Sequence, residues 1–127
     1  SGDRRMDLGL STTAVGNTEV MRNILFARDL AELAPVSAAD LEQLVIFLRS
    51  DPNLRIEIDG HTDSDIGPVP NQVLSEQRAQ VVVDYLVAHG IGADRLVAKG
   101  YGASQPLVPN DTAEHKALNR RTEIKVL

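Results

Sequence analysis

Two stretches of helical apolar period stand between stretches that alternate, and this order leaves few folds open to the chain. Leu41, Leu44, Val45 and Leu48 recur at i, i+3, i+4 and i+7, and Ala79, Val82, Val83 and Leu86 repeat that spacing. Each set makes one apolar stripe that a helix must bury. Between them Leu54, Ile56 and Ile58 alternate with Arg55, Glu57 and Asp59, the pattern of a half-buried strand. Residues 20–26, with Val20, Ile24, Leu25 and Phe26, predict a first strand. A short third strand is expected over 94–101, one or two helical turns over 111–118, and a last strand over 122–127 with Ile124 and Val126 on one face. Strands separated by helices imply a parallel or mixed sheet with helices packed on it, an α/β or α+β sandwich. Four strands with helices on one face leave the other face partly wet.

Local signals suggest where these elements begin and end. Ser37 stands as an N-cap with Asp40 at N3, and Asp51-Pro52-Asn53 stops the first helix. Ser75 is the expected cap of the second, and Gly90 suits the left-handed position that ends it. Residues 1–17 show no period and predict a flexible lead-in or expression remnant, which leaves 18–127 as the domain. Only 3% of residues are aromatic, so the core is expected to be aliphatic. A net charge of −5 argues against nucleic acid, whose binding needs a basic face. The absence of cysteine excludes disulfides and thiolate zinc sites, and no apolar run approaches the roughly 20 residues of a membrane helix.

The segment between the second strand and second helix concentrates the polar chemistry. His61, Asp63 and Asp65 form an HxDxD string, the alternative reading of which is a metal-dependent hydrolase, although a zinc site needs further ligands and a supporting shell. More simply, His61 is a structural residue whose ring takes a backbone hydrogen bond at a strand end. No G-x-S-x-G elbow surrounds a serine, and the glycines match no phosphate-binding loop, so neither a serine hydrolase nor a nucleotide site is indicated. Asp63 and Arg78 have two readings. With a helix opening at Ser75, Arg78 falls in its first turn, against the preference of the helix dipole. The two side chains either pair with each other, a surface bridge worth about 0–1 kcal/mol, or hold the two ends of a zwitterion, ammonium on Asp63 and carboxylate on Arg78.

GHTD, then N-x-x-LS-x-x-RA-x-x-V-x-x-YL, HGI-x-x-DRL-x-x-KGYG and finally NRR-x-E occur in an order and spacing that resemble the OmpA-like C-terminal domain. This is the peptidoglycan-associating module of outer-membrane proteins, of the peptidoglycan-associated lipoprotein and of flagellar stator proteins. The resemblance runs from about Val20 to Leu127 and implies a βαβαβ(α)β fold with a four-stranded mixed sheet and no catalytic role or cofactor. It further implies a periplasmic module that tethers an outer-membrane protein or assembly to the cell wall by binding the meso-diaminopimelate of the peptide stem. By position, Asp63 and Arg78 would grip that residue, Thr62, Asn71 and Arg120 would support it, and Asp29 would contribute from its backbone. The chain departs from the family's pattern at residues 27–32, where an Asp-rich stretch is usual, at Ile66-Gly67, where the glycine comes one residue late, and at His115-Lys116. If the usual glycine position needs a positive φ, the loop path must differ here.

Overall fold

A computed structural model describes residues 15–21, 26 and 30–127. Its strands are β1 (Thr18–Met21), β2 (Ile56–His61), β3 (Leu96–Gly100) and β4 (Arg121–Val126), and its helices are α1 (Ala38–Ser50), α2 (Asn71–Ala88) and α3 (Ala113–Asn119). The strands form one mixed sheet in the order β1-β4-β2-β3. β2 and β3 run parallel with α2 as their crossover, while β4 is antiparallel to both β1 and β2.

One face of this sheet carries the core. The predicted stripes, Leu41, Leu44, Val45 and Leu48 of α1 and Ala79, Val82, Val83 and Leu86 of α2, are all buried against Ile56 and Ile58 of β2 and Ile124 and Val126 of β4. Two aliphatic helix faces on a sheet of β-branched residues need no aromatic filling, in keeping with the composition.

Boundaries differ where tertiary contacts override local signals. β1 starts at Thr18, ahead of the expected residue 20, because Gly16 and Asn17 already exchange backbone hydrogen bonds with Val126. Of the expected strand's remainder, residues 22–25 lie outside the described residues, and Phe26 makes only an isolated bridge to Leu33. Ser37 does not cap α1: its backbone is helical (φ −71°, ψ −18°) and closes a 3₁₀ turn, Pro35–Ser37, that runs straight into the helix. Nor does Ser75 cap α2. The helix opens a turn earlier, with Pro70 at the N-cap, and Ser75 is wholly buried, its hydroxyl donating to the Gln72 carbonyl and accepting from the Gly102 amide. Arg78 therefore sits in the third turn of α2, where the argument from the helix dipole does not apply. Gly90 does end α2 with a positive φ of 93°.

The opposite face of the sheet is polar but not fully wet. Asp59 and His61 of β2 point there and are 4% exposed each. The His61 ring takes no backbone hydrogen bond: it stacks on Tyr101 with centroids 5.0 Å apart, and its Nδ1 is buried without a partner. Burial, reinforced by Arg121, pushes its pKa down to about 4, so the ring is neutral, and its approach to Glu123 at 3.9 Å is no ion pair at pH 7. Burial, with a hydrogen bond to Glu57 and the charges of Glu57 and Glu123, pushes Asp59 up to about 8.

These two groups act on stability in opposite senses. The fold favours protonated Asp59, so its contribution is complete below 3.8 and is lost as pH rises through about 8. The fold also favours neutral His61, whose contribution is complete above 6.5 and is lost as pH falls through about 4. Between those limits the trends oppose each other up to pH 6.5, and above it Asp59 alone remains. Stability is therefore expected to fall by roughly 2 kcal/mol from pH 6.5 to 8. Urea unfolding at the two pH values measures this, and Asp59→Asn should flatten the slope. A slope that persists in that variant would remove Asp59 as its cause.

Candidate functional site

The site forms where β2 ends and the sheet hands the chain to α2. Thr62 is pinned by its amide to the Gly102 carbonyl, 2.9 Å, so the loop leaves the sheet beside the end of β3. Its hydroxyl donates to the Asp63 carbonyl at 2.8 Å, and Asn71, the first residue of α2, donates to the Asp63 and Asp65 carbonyls at 3.3 and 3.0 Å. Both side chains thus serve the loop's backbone. Their effect is to hold Asp63 in place on the wall of a cleft of about 870 Å³.

The Asp63 side chain is 8% exposed, and both of its oxygens are engaged. Oδ1 accepts from the Asp65 amide at 2.8 Å and Oδ2 accepts from Arg120 at 2.5 Å. Among the described residues the ion-pair partner of Asp63 is Arg120, not Arg78. Of the two readings open at the sequence level, direct pairing of Asp63 with Arg78 is therefore not what the chain does. Arg78 stands on α2, with its guanidinium 5.1 Å over the Phe26 ring and its Nε donating to the Leu30 carbonyl at 2.8 Å. Stacking and hydrogen bonding leave a guanidinium of few conformations facing the cleft.

The opposite wall is α3 and the start of β4. Thr112 caps α3 by accepting from the His115 amide, 3.1 Å; the helix carries Lys116, and Arg120 follows as its C-cap residue. Lys116 meets Asp65 at 2.9 Å while Arg120 meets Asp63, so two charged rungs join the loop to this wall. The inner rung is partly buried. The outer one is open, with the Asp65 side chain 60% exposed. Buried Asn119 supports the wall from behind: it accepts from the Leu107 and Val108 amides and donates to the Val108 carbonyl and Asn110.

Of the six residues expected at the site, Thr62, Asp63, Asn71, Arg78 and Arg120 all line this cleft, and Asp29 lies outside the described residues. Sequence reasoning missed Phe26 under Arg78 and Lys116 on the far wall. Gly67 is not among the glycines with positive φ, so the glycine that comes one residue late is not used for a left-handed turn. Ile66 itself is 96% exposed at the cleft's rim. His61, Asp63 and Asp65 do not converge, and among the described residues no group of three or more histidines or carboxylates is placed to hold a metal ion.

The chain belongs to the OmpA family, whose model matches residues 25–120. It is 35% identical over 125 residues to the probable lipoprotein YiaD of Escherichia coli K12, covering 96% of this chain and 57% of that protein. To the peptidoglycan-binding protein ArfA of Mycobacterium tuberculosis it is 40% identical over 103 residues, covering 81% of this chain and 32% of that one. The chain thus spans from about a third to somewhat over half the length of these curated relatives. Among solved structures it resembles the cell wall anchor of the T6SS from Pseudomonas aeruginosa, with 32% identity, a TM-score of 0.77, and coverage of 87% of this chain and 80% of that one.

Proposed function

We propose that this OmpA-family domain binds peptidoglycan noncovalently through the meso-diaminopimelate residue of its peptide stem, and so tethers an outer-membrane protein or assembly to the cell wall. The observation that carries this reading is a cleft whose acid and base do not neutralise each other: Asp63 is held by Arg120, while Arg78 stands on α2. A relative named for peptidoglycan binding and a structural neighbour described as a cell wall anchor support it.

An ionised carboxylate offers about four lone-pair sites. Arg120 and the Asp65 amide take one on each oxygen of Asp63, so capacity remains for an incoming ammonium. Arg78 offers a planar fork that matches a carboxylate. The far end of diaminopimelate carries both groups on one carbon. Thr62 and Asn71 then act by fixing the loop, Arg120 by orienting the Asp63 carboxylate, and Asp29 by the backbone contact that the family resemblance implies. The binding unit is residues 18–127, and its work is a grip with no bond broken and no cofactor.

Single-site affinity is modest, because a few charged hydrogen bonds are offset by lost ligand freedom. Many identical stems facing an anchored protein raise the effective concentration. The domain's place in this reading is the periplasm; among the described residues no helix is long and apolar enough to cross a membrane.

Sedimentation with diaminopimelate-type and lysine-type walls side by side tests the reading. A lysine side chain gives Arg78 no carboxylate to take, at a cost of roughly 1–3 kcal/mol, so retention on the lysine wall should be at least about fivefold weaker. Equal retention on both walls would overturn the diaminopimelate grip.

A further inference from the structure

The cleft is larger than the end of one amino acid. At about 870 Å³ it lies near the upper limit for pockets that enclose a drug-sized ligand. Beyond Asp63 its wall continues to Asp65, Ile66 and Lys116, and the diaminopimelate grip uses none of these three side chains, only the backbone amide of Asp65. Two observations say what this outer part suits. Ile66 is a large apolar side chain with almost nothing covering it, set at the rim of a polar cleft. Lys116 is the cation of the outer rung, 30% exposed and paired, among the described residues, with a carboxylate that is itself 60% exposed. An ion pair so open to water is weak, so a second carboxylate arriving from the cleft can take Lys116 from Asp65 at little cost. Arg120 is not exchangeable in the same way, since its partner Asp63 is nearly buried.

Resting on the reading just given, we infer that Lys116 and Ile66 form a second subsite that holds the stem residue preceding diaminopimelate, with Lys116 taking its free carboxylate. That residue is a γ-linked D-glutamate: its α-carboxylate is free, and two methylenes separate it from the peptide bond to diaminopimelate. The methylenes are the apolar surface that Ile66 lacks, and the carboxylate is the anion that Lys116 can exchange for. The domain therefore distinguishes walls whose glutamyl α-carboxyl is free from walls in which it is amidated, a selectivity set by one lysine on α3.

Calorimetric titration with synthetic L-Ala-γ-D-Glu-meso-diaminopimelate and with its α-amide tests this. The unmodified domain should bind the acid about threefold more tightly than the amide, the worth of an ion pair this open to water. Lys116→Gln should erase that ratio. Asp65→Asn breaks the same rung from the loop side but leaves the lysine, so it should keep the ratio; a ratio erased in both variants would show that Lys116 acts only by positioning the loop. No preference in the unmodified domain, or a preference that survives Lys116→Gln, overturns the subsite. Failure of free diaminopimelate to bind or compete at all would overturn the parent reading as well.

Discussion

Arg78→Ala and Asp63→Ala are each expected to abolish retention by diaminopimelate-type walls while the domain stays folded. For Arg78 the argument is direct. Its guanidinium lies over the Phe26 ring and its Nε donates to the Leu30 carbonyl, so the group arrives at the cleft already oriented. Removing it strands the ligand's carboxylate in a partly dehydrated cleft, a loss of about 2–5 kcal/mol, or upwards of thirtyfold in affinity. Arg78→Lys separates charge from shape: a point charge without the fork should recover only part of the binding.

Asp63→Ala removes the ammonium's partner and also frees Arg120. Because the Arg120 side chain is 48% exposed, water replaces the lost carboxylate, and the stability cost should stay within about 1–2 kcal/mol. Circular dichroism and urea midpoints establish that the variants are folded, and co-sedimentation with purified wall reads the binding. Retention of both alanine variants at the level of the parent domain would end the grip hypothesis, whatever the relatives are named.

The fold was legible in the sequence where its cause is local. The stripes at Leu41 to Leu48 and Ala79 to Leu86, and the alternation through Ile56 and Ile58, follow from backbone period alone, and each is buried as the pattern requires. The start of α2 was not legible. Ser75 has the chemistry of a cap, but it is buried by a hydrogen bond to Gly102, 27 residues away, and nothing nearby distinguishes the two roles. The site was legible to the same limit. Asp63 and Arg78 drew attention as charges beside a polar loop, yet the pairing of Asp63 with Arg120 spans 57 residues, and only the return of β4 beside β2 creates it. Lys116 left a weaker trace, as a departure from the family's pattern. Its meaning depends on Asp65, which only the folded loop places within 2.9 Å.

Gly60→Ala should destabilise the domain by roughly 3 kcal/mol or more, lowering its melting temperature by about 10 °C. Gly60 of β2 and Gly100 of β3 are directly opposite one another in the parallel pair, and together they make a bare patch on the helix-facing side of the sheet. The second turn of α2 rests on it. A Cβ built on Gly60 falls 2.3 Å from the Ser75 carbonyl oxygen, and one on Gly100 falls 2.5 Å from the Glu76 amide and the Ser75 hydroxyl. Backbone atoms of a packed helix cannot rotate aside, so the helix must lift. Lifting it strains the Ser75 to Gly102 bond, and it shifts Asn71 and Arg78, which ride on the same helix. Gly92→Ala is the control: the nearest atom to its Cβ would be an oxygen of the flexible Asp94 carboxylate at 2.7 Å, with the Arg95 side chain at an ordinary 3.9 Å, and the cost should be small. The double variant Gly60→Ala with Gly100→Ala should cost clearly less than the two single losses added, since a helix already lifted by one methyl leaves room for the other. Differential scanning calorimetry of the four proteins decides it. A melting temperature for Gly60→Ala within a degree or two of the parent's would mean that the close approach of α2 to the sheet is not what these glycines provide.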